Sequence, residues 1–185
     1  KVLTTGKGKE LAQELHKISA DRIETVGDDE TLDLGGKTLR FIHAPWLHWP
    51  ETMLTFYEEE GLLFPCDFFG SHLATSKFFD DELGDELLKY AKSYYGEIMM
   101  PFSKMVRNAL DRLEGMDIEM IAPSHGPIYK NPENIMRAYQ DWSHGKVKEK
   151  VLVIYISMWG STEKMANALV DAIASEGVDA VPLNM

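Results

Sequence analysis

The chain has 185 residues, 44% apolar and 26% charged, with 19 Lys plus Arg against 30 Asp plus Glu and a net charge of −11. That composition suits one packed domain or a little more and is too apolar for a disordered chain. The acidic balance argues against nucleic acid or an anionic membrane as the main partner, because both would repel it. No run of about 18 apolar residues is present to span a bilayer. The single cysteine, Cys66, leaves no intrachain disulfide and suits a reducing cytoplasm. The chain opens on Lys1 and closes on Met185, just after the strand-like Ala180-Val181-Pro182-Leu183, so it reads as a piece of something longer.

The elements follow in chain order. Leu11, Leu15 and Ile18 at helical spacing predict a helix over 9–18. Extended runs follow at 23–26 and 31–34. Gly35-Gly36 is the turn of a hairpin whose returning strand is 37–43. Strands at 53–57 and 62–65 flank the acidic turn Glu58-Glu59-Glu60-Gly61. The middle is helical: 81–98, with Leu83, Leu87, Leu88 and Ala91 on one side, then a second helix from Pro101 closed by Gly115. A short strand at 118–122 and a helix at 133–142 complete the first 145 residues. The charged stretch His144 to Lys150 is a linker. Beyond it, Val151 to Ile156 is a continuous apolar run that predicts a strand buried on both faces. A helix over 162–175 and a strand over 178–183 make a βαβ opening.

Three ligand-capable side chains end or follow apolar strands. They are His48, Asp67 and His125, each beside Pro or Gly. Imidazole nitrogen and carboxylate oxygen suit iron or zinc, and a carboxylate can bridge two metals. The alternative is a capped strand Asp and two surface histidines. A second constellation, Ser157-Met158-Trp159-Gly160-Ser161-Thr162, lies between the apolar strand and a helix. Backbone N–H groups at a helix N-terminus, with Ser and Thr hydroxyls, form an anion site. It has neither a Walker frame nor a Gly-x-Gly-x-x-Gly fingerprint, and a monophosphate as in FMN fits a loop this short. A plain Ser/Thr cap is the alternative. Tyr94 and Tyr95 read as core, with a catalytic hydroxyl the minority reading. Cys66 reads as a small buried hydrophobe. His16, His43, His72 and His144 read as ordinary.

The order His48, Asp67, Ser-His125-Gly resembles the second half of the metal motif of the metallo-β-lactamase fold. Leu47-His48-Trp49-Pro50-Glu51, followed after a linker by Ser-Met-Trp-Gly-Ser-Thr-Glu-Lys-Met-Ala, resembles the flavodiiron proteins (A-type flavoproteins) over essentially the whole chain. The resemblance implies an α/β fold. Residues 1–146 would be the second half of a metallo-β-lactamase-like αββα sandwich, and 147–185 the first βαβ of a flavodoxin-like doubly wound domain. It implies reduction of oxygen to water, or of nitric oxide to nitrous oxide, at two non-haem irons. Electrons would pass through FMN from a donor such as rubredoxin or a reduced deazaflavin. His48 and His125 match ligands to one iron each, and Asp67 the bridging carboxylate. Tyr95 resembles a tyrosine near the substrate pocket, and Ser157 to Thr162 the FMN phosphate loop. Head-to-tail homodimers, or dimers of these, would bring one subunit's flavin to the other's irons. The family's His-x-Glu-x-Asp-His segment is absent from this chain, as are the later flavodoxin loops. This piece alone is therefore expected to be inactive. The rival expectations are a dizinc hydrolase of the same fold, with metal-bound hydroxide as nucleophile, and a non-catalytic electron-transfer module.

Overall fold

A computed structural model describes all residues, Lys1–Met185. The chain divides into two units, Lys1–His144 and Gly145–Met185.

The first unit opens with β1 (Val2–Thr4), which pairs in parallel with β2 (Ile23–Thr25) across α1 (Gly6–His16). The helix starts earlier than the apolar spacing predicts because Thr5 caps it: its hydroxyl accepts from the Gly8 N–H at 3.0 Å. Lys17, at φ 56°, ends it.

A five-stranded sheet follows in the order β3-β4-β5-β6-β7. β3 (Thr31–Asp33), β4 (Thr38–His43), β5 (Met53–Tyr57) and β6 (Leu62–Phe64) form an antiparallel meander, and β7 (Met120–Ile121) adds in parallel to β6. The Gly35-Gly36 turn is held by the Asp33 carboxylate, which accepts from both glycine N–H groups.

The expected helix over 81–98 is instead composite. A short turn at Asp80–Glu82 precedes α2 (Asp85–Tyr94). A π-helical turn, Tyr95–Met99, and a 3-10 turn, Met100–Phe102, then lead into α3 (Ser103–Leu113). Pro101 has no N–H to give to the preceding turn, so the regular ladder cannot run through it. The last helix of the unit, α4 (Pro132–Ser143), begins on a proline.

One face of the sheet packs on α2, α3 and α4. Ile42, Leu54, Phe56, Leu63 and Ile121 share one buried cluster with Leu87, Ala91 and Tyr94 from α2. Val106, Ala109, Leu110 and Leu113 of α3 and Ile135 and Tyr139 of α4 close the core. The strands place these residues by alternation: Leu54 and Phe56 face inward between the half-buried Met53, Thr55 and Tyr57. Arg112 ties α3 to the edge of the sheet. It donates to the His43 carbonyl at 2.8 Å and pairs with Asp28 and Asp29 at 2.9 and 3.0 Å.

The second unit is β8 (Lys150–Tyr155), α5 (Ser161–Ser175) and β9 (Asp179–Asn184), with the strands parallel. The expected burial of the first strand on both faces is not met: only Val153 is buried, while Leu152 and Ile154 are exposed. Two strands and one helix supply too little surface to cover both sides. No helix in the chain is long and apolar enough to cross a membrane.

Candidate metal centre and phosphate loop

β4 is antiparallel to β5, and β5 to β6, so β4 and β6 run the same way; β7 runs with them. All three strands therefore release their chain at the same end of the sheet. The loops that leave there carry His48 after β4, Asp67 after β6 and His125 after β7. The expected trio converges. His48 Nε2 lies 3.3 Å from Asp67 Oδ2, and His125 Nε2 lies 3.3 Å from Asp67 Oδ1. Each carboxylate oxygen faces a different imidazole. Asp67 is the most enclosed of the three, with 18% of its side chain exposed, against 28% for His48 and 49% for His125.

Tyr94 closes one side. Its ring centroid lies 6.2 Å from that of His125 and 4.8 Å from that of His72, and His72 lies 5.9 Å from His125. Burial, reinforced by the Asp67 carboxylate, pushes the Tyr94 phenol well above the usual tyrosine range, so it stays protonated. Tyr95, the tyrosine singled out by resemblance, lies elsewhere. It packs against Tyr139 and Trp142, and its hydroxyl meets Ser103 Oγ at 2.8 Å. One residue along a helix turns a side chain by about 100°, enough to exchange the site for the core. His72 also joins the site, contrary to its ordinary reading; nothing in its sequence context, Gly70-Ser71-His72-Leu73, marks it. Cys66 is exposed rather than buried, at φ 56°. Partial desolvation and the neighbouring Asp67 carboxylate raise its thiol.

Residues 4–126 match the family described as ODP family beta lactamase. The chain belongs to that family. A coenzyme F420H2 oxidase of Methanothermobacter marburgensis is 44% identical over 160 residues, covering 84% of this chain and 40% of that protein. A nitric oxide reductase of Moorella thermoacetica is 45% identical over 153 residues, covering 80% of this chain and 38% of that protein. The crystal structure of the flavodiiron protein from Giardia intestinalis superposes with a TM-score of 0.91 at 34% identity, covering 98% of this chain and 46% of that one. The chain thus spans less than half the length of the relatives it matches. The flavodiiron resemblance and the metallo-β-lactamase-like α/β fold hold.

The geometry of this ODP-family chain can be tested against a metal pair. Two donors about 2.1 Å from one ion stand about 3.0 Å apart at a right angle and about 3.4 Å apart at a tetrahedral one. The two 3.3 Å separations fall in that range. The donor set, one imidazole per side of a shared carboxylate, fits half the shell of a binuclear centre. It supplies two donors per ion, and nowhere in the chain do three or more His, Cys, Asp or Glu side chains stand arranged to hold one ion.

The loop between β8 and α5 fits a phosphate. Gly160, at φ 79°, is the cap residue of α5, and no side chain caps the helix. The simple Ser/Thr cap is therefore not what forms. The first-turn N–H groups are open, and Ser157 Oγ is buried without a hydrogen-bond partner. Trp159 and Met158 stand exposed beside it.

Proposed function

We propose that this chain is the later part of the metal-binding domain and the beginning of the flavin-binding domain of an oxidoreductase, with the division near residue 146. The proposed reaction reduces oxygen to water, nitric oxide to nitrous oxide, or both, at a non-haem diiron centre supplied with electrons through FMN. The observation that carries this reading is the Asp67 carboxylate, which offers one oxygen to His48 and the other to His125 at 3.3 Å each.

In this reading His48, Asp67 and His125 would hold the irons, the carboxylate lying between the two imidazoles, and the remaining donors would come from a segment outside this chain. The metal pair would supply the electrons stored for the reduction, replenished by the flavin. The chain's own residues do the rest. The strand ends hold Asp67 between the two imidazoles. The Tyr94 ring closes the side of the site next to His125, with the ring centroids 6.2 Å apart. Ser157, the Gly160 to Thr162 backbone and the open end of α5 would bind the FMN phosphate, with Met158 and Trp159 flanking it. Names of relatives support the choice of substrates and donors: one is named for coenzyme F420H2 and one for nitric oxide. A head-to-tail homodimer would complete the electron path.

The test is metal and flavin content with gas consumption, measured on the protein that carries this chain together with the remaining ligands. Two irons, FMN and consumption of oxygen or nitric oxide are expected. Asp67→Ala is expected to abolish the iron pair. Zinc with hydrolase activity, or flavin without metal, would overturn the proposal.

A further inference from the structure

The contact between Asp67 and His125 joins two loops that are laced together on both sides. Before it, the Ser124 N–H donates to the Cys66 carbonyl at 2.8 Å; after it, the Ser71 N–H donates to the His125 carbonyl at 3.1 Å. Ser71 is 1% exposed. Its hydroxyl fills the place where residue 126 would carry a Cβ, and its carbonyl oxygen lies 2.9 Å from that place. Gly126 sits at φ 85°, a conformation that already disfavours any side chain. On the other flank, Gly70 lets the Tyr94 ring lie against the Asp67 loop, where a Cβ would meet the ring at 3.0 Å.

We propose that Ser71 and Gly126 are positioning residues: the Ser71 hydroxyl seats against the bare Gly126 backbone and thereby sets His125 at its distance from Asp67. The proposal rests on the metal-binding reading of His48, Asp67 and His125. Residues that orient ligands commonly change metal affinity by about 10- to 100-fold when replaced. The backbone hydrogen bond alone would tolerate a hinge at Gly126; the seated hydroxyl removes it.

Gly35 supplies the control. It has nearly the same φ, 87°, but nothing within 4 Å of a built Cβ. Gly35→Ala therefore carries the backbone strain without the collision. In the protein that carries this chain together with the remaining ligands, the variants Gly35→Ala, Gly126→Ala and the double Ser71→Gly, Gly126→Ala are titrated with cobalt(II), followed by visible absorption. The ring nitrogens of His125 are followed by NMR without metal. Gly126→Ala is expected to bind cobalt about tenfold or more weakly than Gly35→Ala and to move the His125 signals. The double variant is expected to recover part of the affinity, since only the carbonyl contact at 2.9 Å is left in place. If Gly126→Ala and Gly35→Ala match in both readouts, the positioning role is overturned. If wild type takes up no cobalt, the metal-binding reading fails, and the His125 signals alone decide the positioning role. If Gly126→Ala does not fold, Ser71→Gly alone decides: moved His125 signals support the role, and unmoved ones overturn it.

Discussion

Asp67 and His125 meet at 3.3 Å because the strands before them are neighbours running the same way: Leu63 of β6 pairs with Ile121 of β7. Both paired residues are fully buried. Emptying that pair should therefore damage fold and site together. Leu63→Ala is expected to cost about 2–5 kcal/mol of unfolding free energy in a denaturant titration. The surviving folded fraction is expected to bind cobalt(II) more weakly than wild type.

The two imidazoles stand on opposite oxygens of one carboxylate, so their losses should differ from the loss of Asp67. His125→Ala is expected to weaken one cobalt equivalent while sparing the His48 side. Asp67→Ala is expected to weaken both. Isothermal titration of each variant, made in the protein that carries this chain together with the remaining ligands, reads the number of sites, and equal losses in the two variants would count against a bridging role.

Arg112 offers an acid-sensitive anchor. Desolvation raises Asp28, but the His43 N–H and the Arg112 guanidinium outweigh it and hold the carboxyl below its ordinary 3.8. A depressed carboxyl stabilises the fold above its unfolded value, and that contribution is lost as pH falls through the folded one. Wild type is therefore expected to lose stability as the pH drops below about 4. Arg112→Ala should start from a lower stability at neutral pH and lose less across the same interval. Urea titrations at a series of acid pH values check the difference in slope.

Three tyrosines should resist alkali. Burial raises the phenols of Tyr94, Tyr129 and Tyr139 well above the usual range. The chain has seven tyrosines. Tyr94→Phe is expected to leave the phenolate absorbance gained between about pH 9 and 11 unchanged while the chain stays folded, because that phenol contributes nothing there. A loss of amplitude would show Tyr94 titrating normally.

Much of this protein was legible in its residues taken in order. Alternation around Leu54 and Phe56, the Gly35-Gly36 turn and the helical stripes report local geometry, which neighbouring residues determine. The trio His48, Asp67 and His125, and the loop Ser157 to Thr162, stood out for the same reason: strand ends beside Pro or Gly, and a small polar turn before a helix. Where local patterns were interrupted, the reading slipped. The single helix expected over 81–98 is broken up by the short turn at Asp80–Glu82 and the π-helical turn at Tyr95–Met99, and Thr5 began a helix sooner than its apolar face showed. What only the tertiary structure decided was which side chains share a space. It brought His72 and Tyr94, not Tyr95, to His125, and put the Ser71 hydroxyl against Gly126. Those choices depend on the parallel pairing of β6 with β7 and on the pitch of α2, contacts between residues far apart in the chain that no local periodicity encodes.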